Sequence, residues 1–467
     1  MNKELKLIYE LAEGSPIYLV GGFVRDYFLG VESRDLDFVV FGDSQNLAKV
    51  FARKIKGAFV VLDEAEQSFR VVKDDISFDF TKNRAETLKE DLKARDFTIN
   101  ALAMELNNTE IIDEIGGVAD LNAKIVRAIS EQAFLDDPLR LLRAFRIAAK
   151  YKFTIDPETL KLIKKHANLI VKPSEERIHD ELSKFFSYLD IFDYLIAFDN
   201  SDLLAAIFDD VSFMKKHNEH YFHKLGLWGH SLETLFCLEF ILKNLDKLFT
   251  DEEIALFGTD FRNLKIACLF HDLGKPETFS KFEDKIHFIK HDIVGEYRVK
   301  AMLKKMKFSK KEIKFIAGIA FFHMQAGNLA KLNEITQKAS FRFFKRTEKL
   351  ALPLILFTMS DWLASIRGVK NIDYSQGISI KEFKYPDFVQ CLKSAKTLLA
   401  WYLEKLNKKE IKLFLNGYDL MEKFDLIPSK LFGKILADLE EAQMTEKVKT
   451  KKQAYKFVEE ILANNRS

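Results

Sequence analysis

The sequence predicts an α+β protein, a small mixed-sheet head followed by an all-α neck, a helical body and a helical tail. Two observations predict it. Short β-branched and aromatic segments crowd the first 125 or so residues, and from about residue 137 strand signals nearly vanish in favour of Leu, Ile and Phe at three and four spacing. A third sets the scale: 467 residues with 48% hydrophobic content exceed one compact core, so two to four domains are expected.

In chain order, "MNKELKLIYELAEG" reads as an amphipathic helix without the apolar core of a signal peptide. "IYLV", "LDFVVFG", "AFVVLD", "SFRVVK" and "ISFDFT" read as strands, and "QNLAKVFARKIKG" between them has helical periodicity closed by a glycine. "KPSEER" near residue 172 and "RGVKNIDYSQG" (367–377) read as boundaries. "FLNGYDLMEKFDLIPSK" (414–430) opens a last helical unit that ends in the basic run "KVKTKKQAYK". No run of 18 or more apolar residues is found, so no membrane span is expected and the protein reads as cytoplasmic.

A net charge of +2 gives no global basic field, so a nucleic-acid partner must rely on local Lys and Arg clusters. Cys237, Cys268 and Cys391 lie far apart in apolar runs without a CxxC pair. They indicate neither a disulfide framework nor a zinc ribbon.

The chemistry concentrates in a few stretches. Asp35 and Asp37 are two apart in a strand and share a face, where like charges repel unless a cation such as Mg²⁺ lies between them. Solvated acids on an edge strand are the plain alternative. Asp79 in "ISFDFT" adds a third acid on another strand, and three such acids suit two-metal nucleotidyl transfer. Gly21 and Gly22 sit between a strand and a helix-like segment, where a backbone can approach a phosphate closely. Farther on, Asp137 precedes Pro138, as a plain N-cap would, but Arg140, Arg143 and Arg146 then recur every three residues.

GGFVRD followed by DLD resembles the class II nucleotidyltransferases, which include tRNA CCA-adding enzymes and bacterial poly(A) polymerases. "ARDFTINALAM" (94–104), "DDPLRLLRAFRIAAKY" (136–151) and "EERIHDEL" (175–182) follow in that family's order. The resemblance implies that Asp35, Asp37 and Asp79 are catalytic, with Asp35 and Asp37 holding Mg²⁺. It also implies that Arg25, Asp26, Arg95, Asp96 and Asn100 serve the ribose, triphosphate and metal site. Arg177 is expected to brace the neck helices. In the family the "DDPLR" helix selects the base. A carboxylate only accepts hydrogen bonds and a guanidinium only donates, so Asp137 with Arg140 matches the amino donor and adjacent acceptor of cytosine or adenine and repels uracil and guanine. Arg143 and Arg146 extend the same nucleotide-binding face.

Two departures bear on the product. Asp136 stands where most members have Glu, four residues before Arg140 and placed to orient it. Between Asp79 and Arg95 the chain has only "FTKNRAETLKEDLKA", whereas members adding the full triplet commonly carry a longer loop.

Eight of the ten histidines fall between His217 and His323. His230, the adjacent His271–Asp272, His291, His323 and Asp361 resemble the HD phosphohydrolase superfamily. That set implies a second divalent metal, and its imidazole-carboxylate donors suit Mn²⁺, Ni²⁺, Co²⁺ or Fe²⁺. His223 is a further candidate for substrate contact. The tail resembles that of HD-containing tRNA nucleotidyltransferases, with Pro428–Ser429 where members often have Pro-Gly.

The expected organisation is a nucleotidyltransferase head (1–125), a neck for base recognition and RNA binding (126–205), an HD domain (206–370) and a tRNA-binding tail (371–467). The expected activity adds CCA, or part of it, to tRNA 3′ ends from CTP and ATP without a template, with an HD activity that cleans RNA ends. CC-only or A-only addition, poly(A) synthesis, and an HD phosphohydrolase with an inactive head are the competing readings.

Overall fold

A computed structural model describes residues 3–107, 110–217, 225–283, 285–405 and 413–464. The chain folds as two compact units, Met1–Asp209 and Asp210–Ser467.

The first unit opens with the amphipathic helix α1 (Lys3–Leu11), which buries Leu5 and Ile8. Its seven-stranded sheet comprises β1 (Ile17–Val20), β2 (Asp35–Val40), β3 (Ala58–Asp63), β4 (Ser68–Lys73), β5 (Ile76–Lys82), β6 (Ala103–Glu105) and β7 (Ile111–Ile112). The order is β3-β4-β5-β2-β1-β6-β7. Only β2 and β5 pair in parallel within it, which makes the sheet mixed. Every strand expected from sequence is present. β6 and β7 are additions to that expectation, because segments of two and three residues carry no readable alternation.

Alternation gives the sheet two chemically different faces. Leu36, Phe38, Phe78 and Phe80 are buried. Phe38 stacks on Phe80 with ring centroids 5.0 Å apart, and Phe51 meets Phe78 edge-on at 5.1 Å. Phe51 belongs to α3 (Ser44–Ile55), which starts where Asp43 accepts the Asn46 N–H and ends at Lys56 in the left-handed conformation. The intervening positions Asp35, Asp37 and Asp79 therefore point to the other face. Helix α2 (Gly22–Phe28) follows β1, and α4 (Leu88–Lys93) follows β5.

The helical part of this unit is organised by α5 (Leu139–Tyr151), which packs against α6 (Glu175–Ser187). Leu141, Leu142 and Phe145 of α5 are fully buried, and Phe145 stacks on Phe198 at 5.0 Å.

In the second unit, α7 (Gly226–Lys243) packs on α8 (Arg262–Phe270) and α11 (Ala351–Val369), while α10 (Lys310–Ala330) packs on α9 (His291–Lys305), α8 and α11. A two-stranded hairpin, Phe279–Phe282 with Lys285–Phe288, precedes α9 and is another element the sequence does not announce. By length and composition the stretch Gln337–Val369 is apolar enough to cross a membrane, but 56% of its apolar window is buried inside the protein, as in a core helix. Arg367, wholly buried, binds Glu233 and Glu382 and ties the following loop to the helices through the Asp373 and Gly377 carbonyls. The tail has its own small core around Leu415, Leu420, Ile435, Leu439 and Val458. Part of its basic run is internally paired, Lys451 with Asp419 at 2.8 Å and Lys449 with Glu446 at 3.3 Å.

Candidate active sites

The parallel pairing of β2 and β5 sets Asp37 directly opposite Asp79, with Asp35 opposite Ser77. Ser77 donates its hydroxyl to Asp35. Burial, and then the Asp79 and Asp35 charges, push the Asp37 carboxyl up to about 6 against the opposing pull of Arg95. A carboxyl held that high by its neighbours is relieved by a cation, so the three acids fit a divalent metal. Sequence reasoning missed Arg70. It faces Asp79 across the antiparallel β4–β5 pair and binds both carboxylate oxygens at 2.7 Å. Alternation with the buried Phe69 and Val71 gives the face of Arg70, but its pairing with Asp79 comes only from the hairpin register.

Gly21 joins β1 to α2 at φ +71° and ψ −134°, a conformation for which glycine is suited. A Cβ there would lie 3.1 Å from Arg95 Nη1 and 3.5 Å from Asp37 Oδ2, so the turn lies against the acidic cluster. Arg95 Nε is buried without a hydrogen-bond partner among the described residues, as expected for a donor awaiting an anion. Gly22 lies over Arg25, whose Nη2 would be 3.4 Å from a Cβ.

Arg25 and Asp26 are both buried and bind each other, Nε to Oδ1 at 2.9 Å. Arg25 also donates to Asn100, and to the Tyr151 hydroxyl at 2.6 Å, while Tyr151 donates to Asp26 at 2.6 Å. The pair thus supports the glycine turn from within. Tyr151 is the last residue of α5, and nothing in its sequence context points to a part in this network. Asp96 accepts from the Asn100 amide at 2.9 Å and from Arg143 through Nε and Nη2 at 2.9 and 2.8 Å. Burial raises its carboxyl, but Arg143, Asn100 and the Phe97 N–H together hold it at about 2. Arg143, correspondingly, is raised by Asp96. Arg146 binds Glu181 on α6.

Asp137, Arg140 and Arg177 line a cleft of about 770 Å³ together with Asp136 and the Lys82–Arg84 segment after β5. Neither Arg143 nor Arg146 is among its lining residues. Arg140 donates from Nη1 to the Ala94 and Ala133 carbonyls at 3.1 and 3.2 Å. Asp137 is held by Arg177 at 2.9 Å and accepts the Leu139 N–H at 3.2 Å. Asp136 accepts from Gln132 at 2.7 Å and makes no hydrogen bond to Arg140 among the described residues. The short segment before α4 is pinned: the Arg84 N–H donates to Asp91, and Thr87 with Glu90 forms a reciprocal cap.

In the second unit all six expected ligands converge, as two triads: His230, His271 and Asp361, and Asp272, His291 and His323. The adjacent His271 and Asp272 join them. His230 Nε2 lies 2.9 Å from Asp361, and His291 and His323 Nε2 each lie 3.6 Å from Asp272 Oδ1. His271, His291 and His323 turn Nδ1 to the Cys268, Phe288 and Ala320 carbonyls at 3.0, 2.7 and 2.6 Å. That fixes the tautomer that presents Nε2 to a metal. Burial holds His323 down to about 4, the neutral form a ligand needs. Burial raises Asp361, but His230 and His271 hold it at about 2. Lys275, 2.6 Å from Asp272, is a neighbour that sequence reasoning missed. His223 lies outside the described residues.

Three families match in succession: the Poly A polymerase head domain over residues 17–127, the probable RNA and SrmB-binding site of polymerase A over 152–214, and the HD domain over 227–365. The chain belongs to the class II nucleotidyltransferases. It is an enzyme with a nucleotidyltransferase head and an HD domain. It is 28% identical over 448 residues to the A-adding tRNA nucleotidyltransferase of Deinococcus radiodurans, with 94% of each chain covered. It is 27% identical over 449 residues to the CC-adding tRNA nucleotidyltransferase of Synechocystis, covering 95% of this chain and 93% of that one. The fold is that of the Thermotoga maritima CCA-adding enzyme complexed with tRNA, at 20% identity and a TM-score of 0.65, over 98% of this chain and 94% of that one.

Proposed function

We propose that the head transfers CMP or AMP to the 3′ end of tRNA, adding part of the CCA triplet without a template. The observation that carries this reading is the register of Asp37 on Asp79 with Asp35 on the same face, beside the Gly21 turn and the unsatisfied Arg95 donor. Asp35 and Asp37, with Asp79, hold Mg²⁺, which supplies Lewis-acid activation of hydroxyl and triphosphate when bound. The Gly21–Gly22 turn and Arg95 bind the triphosphate. The tRNA 3′-hydroxyl oxygen forms the new bond to the α-phosphorus as its proton passes to water, the α–β bridging bond breaks, and pyrophosphate leaves with its electron pair.

Asp137 and Arg140 read the base from the cleft, accepting from the amino group and donating to the adjacent ring acceptor. Arg177 holds Asp137 until a base takes its place. Asp96, fixed by Arg143 and Asn100, supports the ribose pocket. The brief, pinned connection from β5 to α4 favours a partial product, as do the A-adding and CC-adding relatives that match almost end to end.

tRNA ending at the discriminator base, at C or at CC, offered with each nucleotide separately and together, tests this. Growth stopping at two cytidines marks a CC-adding enzyme, and extension only from CC marks an A-adding one. Complete CCA addition would overturn the partial product, and poly(A) growth on unrelated RNA would overturn the tRNA reading.

The six-ligand centre supports a second reading, a metal-dependent phosphohydrolase for RNA ends. Water's oxygen bonds phosphorus, the ribose oxygen leaves, and water's proton passes to it. Release of phosphate from adenosine 3′-monophosphate with Mn²⁺ or Ni²⁺, lost in His271→Ala, is the expected result; no release with any of Mn²⁺, Ni²⁺, Co²⁺ or Fe²⁺ refutes it.

A further inference from the structure

A pocket of about 610 Å³ opens directly beside the six-ligand centre, with His323 and Asp361 in its wall. Two helices build it with the same spacing. Along α10 it runs from His323 through Gly327 to Lys331 just past the helix end, and along α11 from Asp361 through Ser365 to Val369 and the capping Lys370. Eight residues of helix span about 12 Å, so metal ligands stand at one end and two lysines at the other. Between them lies Trp362, half-buried, with no hydrogen bond or ring partner among the described residues. Gly327 leaves room for it, since a Cβ there would lie 3.9 Å from the indole Nε1. The Lys331 and Asn328 side chains also have no hydrogen-bond or ion-pair partner among the described residues, and the Lys370 ammonium only covers the Tyr385 ring at 4.7 Å. Asp387 is the one carboxylate in the outer part of the wall.

A flat aromatic surface between a phosphate-cleaving centre and two cations matches a nucleoside flanked by two phosphates. A nucleobase stacks on an indole whatever its identity, and lysines take phosphate as point charges. The volume is that of a small-molecule site, about 300–1,000 Å³. We propose that this pocket is a nucleotide subsite of the HD centre. The base lies on Trp362, the 3′-phosphate faces the metal ligands, and Lys331 with Lys370 holds the phosphate on the 5′ side. The subsite rests on the phosphohydrolase reading for its chemistry but not for its binding, and it selects the end of a strand over a base-free phosphoester.

Tryptophan fluorescence tests it in the full-length protein with EDTA. The other two tryptophans, Trp228 and Trp401, are buried, and the first unit has none, so nucleotide held by the head is silent. Adenosine 3′-monophosphate should quench saturably, and adenosine 3′,5′-bisphosphate should bind at least tenfold tighter. Ribose 5-phosphate should not quench. Lys331→Ala with Lys370→Ala should abolish the preference for the bisphosphate. Gly327→Leu should weaken binding at least tenfold while Trp362 still emits, and Trp362→Phe should remove the signal. Absence of quenching, equal quenching by ribose 5-phosphate, or an unchanged affinity in Gly327→Leu overturns the proposal. Saturable quenching without metal-dependent hydrolysis overturns the phosphohydrolase reading alone.

Discussion

At the scale of single residues, the head carries a stability cost where its chemistry is placed. Asp37 is raised from its ordinary value near 3.8 to about 6. The folded chain therefore binds this proton more tightly than the unfolded chain, and metal-free stability falls as pH rises from about 4 through 6. Each tenfold gain in proton affinity is worth about 1.4 kcal/mol, so above pH 6 the cost is on the order of 2–3 kcal/mol. Asp37→Asn should therefore raise the denaturation midpoint of EDTA-treated protein at pH 7.5 while removing nucleotide incorporation. An unchanged or lower midpoint would show that Arg95 already compensates the charge. Gly21→Ala makes the opposite expectation, because its φ of +71° and ψ of −134° strain any side chain and its Cβ would press on Arg95 at 3.1 Å. The expected loss is about 1–3 kcal/mol, with nucleotide KM rising more than kcat falls.

At the scale of elements, α5 is fastened to the head at two places, by Arg143 on Asp96 and by Tyr151 and Lys150 at the buried Arg25–Asp26 pair. Arg143 of α5 binds Asp96, which lies before the Thr98–Asn100 turn. Asp96 is held at about 2, so its stabilising charge is present above the unfolded value near 3.9 and is lost as pH falls through 2. Asp96→Asn should cost about 2–3 kcal/mol by urea denaturation at pH 7, less than a fully buried pair, because Arg143 stays 34% exposed. The mutant should also lose part of the acid limb between pH 4 and 2.

The same elements show what sequence could and could not convey. Asp35 and Asp37 are legible as one face because strand alternation is local, and the six candidate His and Asp ligands because their chemistry is rare on apolar helices. Arg70 is not, since its meeting with Asp79 depends on a hairpin register that no single strand encodes. Arg177, expected to brace the helices, also lines the cleft beside Asp137. Its pairing with Asp137 joins residues 40 positions apart, and only the α5–α6 packing brings it into the cleft. Arg177→Ala should thus disturb nucleotide choice as well as structure. We expect incorporation of the correct nucleotide over UTP and GTP to fall several-fold, measured as a ratio of kcat/KM, with the melting temperature nearly unchanged.

At the scale of the whole molecule, the two candidate centres lie in separate compact units and use different donor chemistry. The head offers oxygen ligands suited to Mg²⁺, whereas the second unit offers four imidazoles and two carboxylates, which favour later divalent metals. Metal loading should therefore stabilise the second unit selectively. A ligand that binds only the folded state at 100 times its Kd adds about 2.7 kcal/mol. Mn²⁺ or Ni²⁺ added to EDTA-treated protein should raise the melting transition of the second unit by several degrees, whereas Mg²⁺ should raise it little. Because His271 and Asp272 join the triads, Asp272→Asn should remove most of that shift and His323→Ala part of it. Nucleotide incorporation with Mg²⁺ should stay within about twofold of the parent enzyme in both variants. Equal shifts with Mg²⁺ and Ni²⁺, or a shift that survives Asp272→Asn, would mean that the imidazoles are not the ligands.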